Sequence, residues 1–389
     1  MPIVNRMAEL HDEITKWRRE YHTNPELMYD VHETAASVAG KLKEFGLDEI
    51  VTGIGKTGVV GVIRGKSNNS GKVIGLRADM DALPIEEATG LPHASKNQGK
   101  MHACGHDGHT AMLLGAARYL SETRNFDGTV IVIFQPAEEG GAGGKAMVDD
   151  GMMEKFGIQE VYGMHNMPGM EVGEFAIRPG ALMASTDEFD IIIEGKGSHA
   201  AMPHQGIDPI VIGAQVVMAL QTIVSRATDP LESLVISVTK MQAGNAYNVV
   251  PNTATLSGTV RTLNAEVRKA AEQQIRQVCE GICQAHGAIA KIKYSNNYPV
   301  TSNHPAQTDK AIAIARLVAG DSRVETNVAP TMGGEDFSYM LEARPGAFIF
   351  TGNGNTANLH HPEYDFNDEA IPHGCSYWAK LAETLMPAG

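Results

Sequence analysis

The sequence predicts an α/β protein in which a larger domain, built on a mixed central sheet, is interrupted by a smaller inserted α+β domain. Apolar strands alternate with helices up to residue 182, and the alternation returns from residue 296 to 389. Over residues 183–295 the order changes to strand-helix-strand-strand-helix-strand (βαββαβ). That order is typical of the split βαβ sandwich of ferredoxin-like domains. A chain of 389 residues is also long enough to bury the cores of two or three domains.

Local patterns predict the first elements of the larger domain. An amphipathic helix that ends before Pro25 is predicted by apolar residues at steps of three and four, namely Ile3, Met7, Leu10, Ile14, Trp17 and Tyr21. A second helix is predicted over 33–45, with Asp30 near its start. Further strands are predicted at 59–64, 72–78, 129–134 and 160–164, and further helices at 108–121 and 142–150.

Residues 52–58 contain a formal GxGxxG pattern. In a dinucleotide-binding fold this pattern follows a strand and opens a helix, whereas here it precedes the strand at 59–64. We therefore expect a turn at this position and no dinucleotide site.

The inserted part contains strands at 188–194, 233–239, 253–262 and 289–294. Its first helix begins at Asp208 and Pro209, a capping residue followed by proline in the first turn, and its second helix covers 264–286. The larger domain then resumes with a helix at 308–319, a strand at 347–351 and a final helix.

Composition limits the class of partner and the compartment. The net charge is −14 and no block of lysine and arginine stands out, which disfavours nucleic acid and anionic membranes as partners. No uninterrupted apolar run approaches the roughly 18 residues that a membrane helix needs. The N-terminal residues lack the apolar core of a signal peptide, and the four cysteines (104, 279, 283, 375) are too scattered for a disulfide framework. We expect a cytoplasmic protein in which Cys279 and Cys283 are half-buried free thiols.

The segment Met101–His109 concentrates groups that bind metals. It holds three of the 15 histidines and one of the 4 cysteines in nine residues. In an extended segment Cys104 and His106 leave the same face, and Asp107 stands where it can cap the helix that follows. A thiolate and an imidazole side by side suit a soft or borderline divalent metal.

Other candidate ligands follow predicted strands. In open α/β sheets ligands bind beyond the carboxyl ends of the strands, where polar side chains from different strands meet. The set placed there is Asp79, Asp81, Cys104, His106, Glu138, Glu139, His165 and one of His360 and His361. The histidines at 22, 32, 286, 304 and 373 lack such a context, and we expect them to be surface or helix residues.

Five nitrogen, sulfur and oxygen ligands are too many for one tetrahedral site and suit two metals that share a bridge. In an extended segment the carboxylates of Glu138 and Glu139 point to opposite sides, so one can bind metal while the other reaches the metal-bound water. Two other hypotheses remain open. One is a thiol hydrolase with Cys104 as nucleophile and His106 as base, and the other is a metal-binding homologue without catalysis.

In several motifs the chain resembles the aminoacylase-like dinuclear metallohydrolases, and most closely their amidohydrolase branch of hippurate hydrolases and N-acyl-amino-acid amidohydrolases. The matching motifs span nearly the whole chain in family order. They are Arg77–Pro84, Met101–His109, Gln135–Glu139, Gly163–His165, Gly197–Ala200, Asn248–Pro251, Met332–Phe337 and Leu359–Pro362. In the wider clan a histidine and a bridging aspartate stand where this chain has Asp79 and Cys104, a difference typical of the amidohydrolase branch.

The resemblance implies roles for the candidate ligands. Cys104 would bridge two divalent ions, which could be zinc, manganese, cobalt or nickel. His106 and His165 would bind one ion, and Glu139 and His360 the other. Glu138 would be the general base, and Asp81 would orient a ligand imidazole.

The resemblance also implies hydrolysis of the amide bond of N-acyl amino acids, of the hippurate or N-acetyl type, by a homodimer. The inserted domain would serve as lid and dimerisation domain. His199 from the lid of the partner subunit would stabilise the oxyanion, and Asn248 and Arg261 would bind the polar end of the substrate. An N-acetyl-diaminopimelate or auxin-like amide is an alternative substrate.

Overall fold

The computed structural model describes residues 4–389, so Ile3 of the first predicted helix lies outside the described residues. The helices are α1 (Asn5–Glu9), α2 (His11–Thr23), α3 (His32–Glu44), α4 (His106–Thr123), α5 (Gly143–Asp149), α6 (Met152–Lys155), α7 (Pro209–Thr222), α8 (Ala265–Ala285), α9 (Pro305–Ala319), α10 (Ser338–Ala343) and α11 (Ile371–Leu385).

The strands up to residue 199 are β1 (Glu49–Ile54), β2 (Gly58–Arg64), β3 (Val73–Asp79), β4 (Thr129–Gln135), β5 (Glu160–Met167), β6 (Phe175–Ala176), β7 (Gly180–Met183), β8 (Ser185–Glu194) and β9 (Ser198–His199). The remaining strands are β10 (Leu234–Ala243), β11 (Val249–Val250), β12 (Thr253–Thr262), β13 (Ile289–Asn296), β14 (Thr301–Asn303), β15 (Val324–Glu325) and β16 (Gly346–Gly352).

The chain divides into two compact units. The first contains residues up to Gly180 together with Ser302–Ala329 and Asp336–Gly389, and the second contains Ala181–Thr301 and Pro330–Glu335. The predicted insertion, 183–295, lies wholly within the second unit. Residues 181–182, 296–301 and 330–335, which the sequence analysis assigned to the larger domain, cluster with the second unit.

The first unit is built on an eight-stranded sheet in the order β1-β2-β4-β3-β5-β16-β6-β15. Its central strands β4, β3, β5 and β16 are parallel neighbours, whereas β1 and β2 pair antiparallel at one side. The predicted mixed central sheet is therefore confirmed. Because parallel strands are joined by crossovers, helices cover the apolar residues of this sheet.

The sheet order places a switch point at β3. After β3 the chain passes through α4 to β4 on one side, and after β4 it passes through α5 and α6 to β5 on the other side. Chains that leave a strand in opposite directions open a crevice at its carboxyl end, where ligands bind in sheets of this kind. The candidate ligands lie at this end.

Two predicted features of the first unit differ in detail. The single predicted N-terminal helix is two helices, α1 and α2, which meet at Leu10, and the predicted apolar stripe from Met7 onward is buried. Residues 55–57, within the GxGxxG pattern of residues 53–58, form the turn of an antiparallel hairpin between β1 and β2. The expected turn is therefore present, preceded by a strand, β1, that the sequence analysis did not predict.

The second unit carries a four-stranded antiparallel sheet in the order β10-β12-β8-β13. With α7 and α8 it forms the predicted βαββαβ arrangement. Asp208 caps α7 by accepting a hydrogen bond from the Ile210 amide at 2.8 Å. Cys279 and Cys283 are fully buried in the core of this unit rather than half-buried, because α8 turns their side chains toward the sheet.

Among the described residues, one helical stretch, Pro209–Ala227, has the length and mean hydropathy (1.6) that crossing a membrane requires. Polar side chains interrupt it, and one of its faces, with Ile212, Val216 and Leu220, is buried in the core of the second unit. A core helix with an unusually apolar outer face accounts for these features.

Candidate metal centre

Three parallel strands bring the first candidate residues to one level. Asp79 is the last residue of β3 and pairs in register with Gln135, the last residue of β4. On the other side of β3, Arg77 pairs with Gly163 of the parallel strand β5. Two residues further along both strands, His165 therefore lies level with Asp79. His165 was expected to follow its strand, but β5 continues past it to Met167.

The thiol at 104 is presented by a turn rather than an extended segment. Helix α4 begins at His106, and Gly105 before it has a φ of +93°. A side chain at this position would collide with Asn166 and Tyr364, so both the backbone conformation and the space require glycine. Cys104 and His106 therefore approach the same centre from a turn and from the first residue of a helix.

Asp107 does not cap α4, contrary to expectation, because it lies inside the first turn of the helix. Its carboxylate is buried and accepts a hydrogen bond from Nδ1 of His22 at 2.8 Å, and Arg18 lies 3.6 Å away. His22 is on a helix, as expected, but it is fully buried. The apolar stripe of that helix does not include position 22 and so did not predict this burial. Burial lowers the pKa of His22, but Asp107 and Glu87 outweigh this and raise it to about 9.

The two adjacent glutamates lie in a tight turn after β4, so the expected extended geometry is wrong. Ala137 has a φ of +55°, which turns the chain, and its carbonyl accepts a hydrogen bond from Gly143 at 3.0 Å. As a result both carboxylates face the same cluster: one oxygen each from Glu138 and Glu139 and a nitrogen of His106 lie within 4.8 Å of one another.

Asp81 fixes this turn. Its two carboxylate oxygens accept hydrogen bonds from the amides of Glu138 and Glu139, at 2.9 and 3.1 Å. The backbone carbonyl of Asp81 accepts a hydrogen bond from Nδ1 of His106 at 2.8 Å, and the nearest carboxylate oxygen is 3.5 Å from that nitrogen. Asp81 thus contacts a candidate ligand imidazole mainly through its main chain.

Both buried imidazoles have a fixed tautomer. A carbonyl oxygen can only accept, so Nδ1 of His106 donates to Asp81 and Nδ1 of His165 donates to the carbonyl of Asn166 at 2.6 Å. When each ring is neutral, as a metal ligand must be, the lone pair of its Nε2 faces the centre. Nε2 of His165 lies 3.3 Å from the Cys104 sulfur.

His360, rather than His361, points into this cluster. Its Nε2 lies 3.4 Å from a carboxylate oxygen of Glu139, and its amide donates to the Ala103 carbonyl at 2.7 Å. His360 has a φ of +64°, which a non-glycine residue adopts only when its surroundings impose it. His361 instead accepts a hydrogen bond from the Glu363 amide.

The donor atoms form two groups that share one sulfur. Those of Cys104, His106 and His165 lie within 4.8 Å of one another, and so do those of Cys104, Glu139 and His360. Nε2 of His106 and Oε1 of Glu139 are buried and make no hydrogen bond within residues 4–389. Buried polar atoms of this kind normally have a partner, so the donor set fits two divalent cations that share a thiolate.

The charges around the cluster also favour a cation. Burial, followed by the charges of Glu139, Glu138 and Asp79, raises the pKa of the Cys104 thiol well above its usual range. Burial lowers the pKa of His106, but the nearby carboxylates outweigh it and raise that pKa to about 10. A thiol nucleophile needs a lowered pKa, so this environment disfavours the thiol-hydrolase hypothesis.

A buried network that the sequence analysis did not identify surrounds the ligands. His109 bonds through Nδ1 to Asp79 at 2.6 Å and through Nε2 to the side-chain oxygen of Asn166 at 2.7 Å. Asp79 also accepts a hydrogen bond from Arg77 at 2.7 Å. Asp79 lies at the end of β3, as predicted for a candidate ligand. Its carboxylate, however, is bound by the side chains of Arg77 and His109. The signal that could have found His109 is its spacing of three from His106 on one helix.

Two of the three candidate residues of the second unit lie together. Strand β9 pairs with β11 so that His199 opposes Val249, and the Ala200 amide donates to the Asn248 carbonyl at 3.0 Å. His199 and Asn248 line one groove of about 840 Å³. Arg261 is not part of that groove; it is half-buried on β12, where its Nε donates to the Thr259 hydroxyl at 3.2 Å.

Comparison with known proteins gives full-length relatives. The hippurate hydrolase of Campylobacter jejuni is 46% identical over 382 residues, covering 98% of this chain and 99% of the relative. The N-acetyl-L-cysteine deacetylase of Bacillus subtilis is 42% identical over 382 residues, covering 98% and 90%. The crystal structure of Bacillus subtilis YXEP, a dinuclear metal binding peptidase from the M20 family, superposes with a TM-score of 0.85 at 37% identity, covering 97% and 99%.

The family model described as Peptidase family M20/M25/M40 matches residues 75–384, which include every candidate metal ligand. The expected resemblance and the expected class of enzyme are thereby confirmed. With its mixed sheet, its clustered thiol, imidazole and carboxylate donors and its full-length relatives, the chain is a hydrolase that belongs to Peptidase family M20/M25/M40.

Proposed function

We propose that this protein hydrolyses the amide bond of N-acyl amino acids of the hippurate or N-acetyl type, and releases a carboxylate and a free amino acid. The observation that carries the proposal is the pair of donor groups sharing Cys104, with the buried carboxylate of Glu138 beside them. The names of the two relatives, a hippurate hydrolase and an N-acetyl-L-cysteine deacetylase, support the same substrate class.

Cys104, His106 and His165 would hold one divalent ion, and Cys104, Glu139 and His360 the other. When bound, such ions lower the pKa of a water molecule and polarise the substrate carbonyl. Sulfur and nitrogen donors suit zinc, cobalt or nickel, and the glutamate also admits manganese. We propose these four as the candidate metals.

The protein residues then carry the proton and hold the geometry. Glu138 accepts the proton of the attacking water and passes it to the leaving amine, so it serves first as base and then as acid. Asp81 holds both glutamate amides, and so fixes the base relative to the ligand next to it. The hydrogen bonds from Nδ1 of His106 and His165 keep their Nε2 atoms available as ligands.

We assign the inserted domain, 183–295, to substrate binding and dimerisation. His199 of the partner subunit would donate a hydrogen bond to the oxyanion of the tetrahedral intermediate, and Asn248 and Arg261 would bind the substrate carboxylate. The shared groove of His199 and Asn248 supports a joint role for these two. For Arg261 the support is its half-buried cationic side chain alone.

A homodimer is supported by the outer face of α7. The apolar residues Met218, Val211 and Ile210 are 71%, 53% and 40% exposed there. An apolar surface of this kind is typical of an interface between subunits. We also propose a cytoplasmic location, which the four buried free cysteines support.

The test measures release of free amino acid from benzoylglycine, a panel of N-acetyl amino acids, an N-acetyl-diaminopimelate and an indole-acetyl amino acid. Metal is removed with a chelator and restored one ion at a time. We expect turnover of benzoylglycine or an N-acetyl amino acid that is lost on chelation and returns with metal. Tight metal binding without turnover of any conjugate would instead identify a non-catalytic homologue.

A further inference from the structure

The segment 26–29, which lies outside the metal centre, forms hydrogen bonds with the turn that carries Glu138 and Glu139. The Met28 carbonyl accepts a hydrogen bond from the Ala137 amide at 3.1 Å, on one side of the glutamates. The Tyr29 hydroxyl donates to the Gly141 carbonyl at 2.7 Å, on the other side. The two bonds therefore hold the turn at both ends.

Backbone strain marks this contact. Met28 has a φ of +53° and Ala137 a φ of +55°, and each is a non-glycine residue in the left-handed region. Such a conformation is strained in a residue with a side chain, and it persists only where the surrounding structure imposes it. Two strained residues joined by one hydrogen bond indicate that the position of this turn is enforced by its neighbours.

The segment 26–29 is itself anchored. The Glu26 carbonyl accepts a hydrogen bond from the Ala82 amide at 2.8 Å, next to Asp81. The Glu26 carboxylate accepts hydrogen bonds from the Thr34 amide and hydroxyl, at 2.8 and 2.9 Å, in the first turn of α3. The segment thus ties that helix to the residues that follow β3.

The hairpin turn 55–57, which lies within the GxGxxG pattern of residues 53–58, contacts Tyr29 from the other side. The Thr57 hydroxyl donates to the Tyr29 carbonyl at 3.0 Å, and Nζ of Lys56 lies 3.7 Å from the centroid of the Tyr29 ring. Lys56 has a φ of +76°, so its place over the ring is also imposed. The Gly55 amide donates to Asp150 at 2.7 Å, which fixes the turn itself.

Tyr29 has the protonation state that this contact needs. Burial, with the charges of Asp336 and Asp81, raises the pKa of its phenol. The hydroxyl therefore keeps its proton and remains a donor to Gly141 over the working range of pH.

We propose that Tyr29 is a positioning residue of the metal centre, which fixes the Glu138–Glu139 turn through Gly141 and is itself held by Lys56 and Thr57 of the hairpin turn. Residues that orient metal ligands from outside the coordination sphere change metal affinity or activity by roughly 10- to 100-fold when they are replaced. Tyr29 acts through the turn, by the hydrogen bond that its hydroxyl donates to the Gly141 carbonyl.

The test compares Tyr29→Phe with Tyr119→Phe in the full-length protein. Tyr119 is a matched control, because it loses an equivalent hydroxyl and a hydrogen bond of 2.9 Å to Glu383, a residue of the C-terminal helix α11. Cobalt(II) is titrated into each metal-free protein by calorimetry. We expect Tyr29→Phe to raise the dissociation constant about 10-fold, and Tyr119→Phe to leave it unchanged.

The kinetic arm rests on the proposed function and uses whichever substrate the wild type hydrolyses. We expect Tyr29→Phe to lower kcat about 10-fold with KM within about twofold, because the base and a ligand are displaced while substrate contacts remain. Lys56→Met, which removes the cation over the ring, should lower kcat in the same direction by a smaller factor. If Tyr29→Phe fails to fold, Lys56→Met decides the question by both readouts.

Equal cobalt affinity in Tyr29→Phe and Tyr119→Phe would overturn the inference, as would a raised KM with an unchanged kcat, which would make Tyr29 a substrate contact. A wild type that turns over no conjugate would defeat the proposed function alone, since the cobalt titration decides the role of Tyr29 without any substrate.

Discussion

Glu138 and Glu139 are neighbours in the sequence and in space, yet their contacts point to different tasks. Glu139 shares its environment with Cys104 and His360, and one of its oxygens is buried without a hydrogen bond in the described part of the chain. Glu138 lies beside the cluster with its amide fixed by Asp81. The turn directs both adjacent carboxylates toward one cluster, whereas in a strand they would point to opposite sides.

Substitution of each glutamate by glutamine should separate these tasks. Glu138→Gln should keep both metals and lose about 100- to 10,000-fold in kcat, because the amide cannot take up the proton. Glu139→Gln should lose at least one metal per subunit. Metal content by mass spectrometry of the native protein and kcat on the best substrate measure both effects. Retention of both metals and of kcat in Glu138→Gln would remove the general base from the proposal.

His22 gives a prediction about pH and stability. Its pKa is about 9 when folded, against an ordinary value of 6.5, because Asp107 and Glu87 outweigh the effect of burial. The charged ring therefore stabilises the fold below pH 6.5, and this contribution is lost as pH rises through about 9. The loss is of the order of 3 kcal/mol at most.

Chemical unfolding of the metal-free protein between pH 6 and 10 measures this loss. His22→Gln should flatten the decline of the free energy of unfolding with pH, whereas His32→Gln, at an exposed histidine on the next helix, should leave it as in the wild type. A parallel decline in all three proteins would show that His22 is not protonated in the folded state.

At the scale of elements, the connection from Cys104 into α4 decides where the thiol goes. Gly105 combines a positive φ with the close approach of Asn166 and Tyr364, and His109, one helical turn later, binds Asp79. The start of this helix is therefore packed into the centre on two sides. The geometry of this connection determines whether the Cys104 sulfur and the His106 imidazole can approach the same centre.

Gly105→Ala tests this connection against a matched glycine. We expect it to lower the free energy of unfolding by about 2–4 kcal/mol and to weaken metal binding, because strain and overpacking add. Gly90→Ala has a similar φ of +66° but nothing within 4 Å, so it should cost only the strain, about 1 kcal/mol, and leave metal affinity unchanged. Equal effects of the two substitutions would show that the space around Gly105 is not limiting.

The sequence predicted elements better than it predicted the loops between them. Apolar runs and their period identify β3, β4 and α4 to within a few residues, and strand order makes their carboxyl ends meet. The turn at 137–143 was not predictable, because nothing in Pro136-Ala137-Glu138 signals a left-handed alanine. The burial of His22 escaped prediction for a related reason: its partner Asp107 is 85 residues away.

At the scale of the molecule, the two units carry different parts of the proposed chemistry. The first unit holds the donor cluster and the base, and the second holds the groove of His199 and Asn248. Each unit has its own sheet and its own apolar core. The proposed role of His199 of the partner subunit would require the protein to form a dimer.

Subunit mixing tests whether His199 acts across the dimer. Glu138→Gln and His199→Ala should each be inactive alone. If one copy supplies the base and the other the histidine, refolding an equal mixture should restore about a quarter of wild-type activity, since half the dimers are hybrids with one intact site each. No recovery in hybrids confirmed by native mass spectrometry would place His199 in the subunit whose metals it serves.

The place of β16 in the first sheet has a consequence for biosynthesis. This strand lies between β5 and β6, yet it is made only after the whole of 181–301 has left the ribosome. The edge of β5 that pairs with β16 therefore remains unpaired while more than a hundred further residues are translated. The second unit has nearly all its chain in one continuous stretch, so it can fold as it emerges. During synthesis the nascent protein exposes an apolar strand edge, the kind of surface that chaperones bind, until residues 346–352 close the sheet.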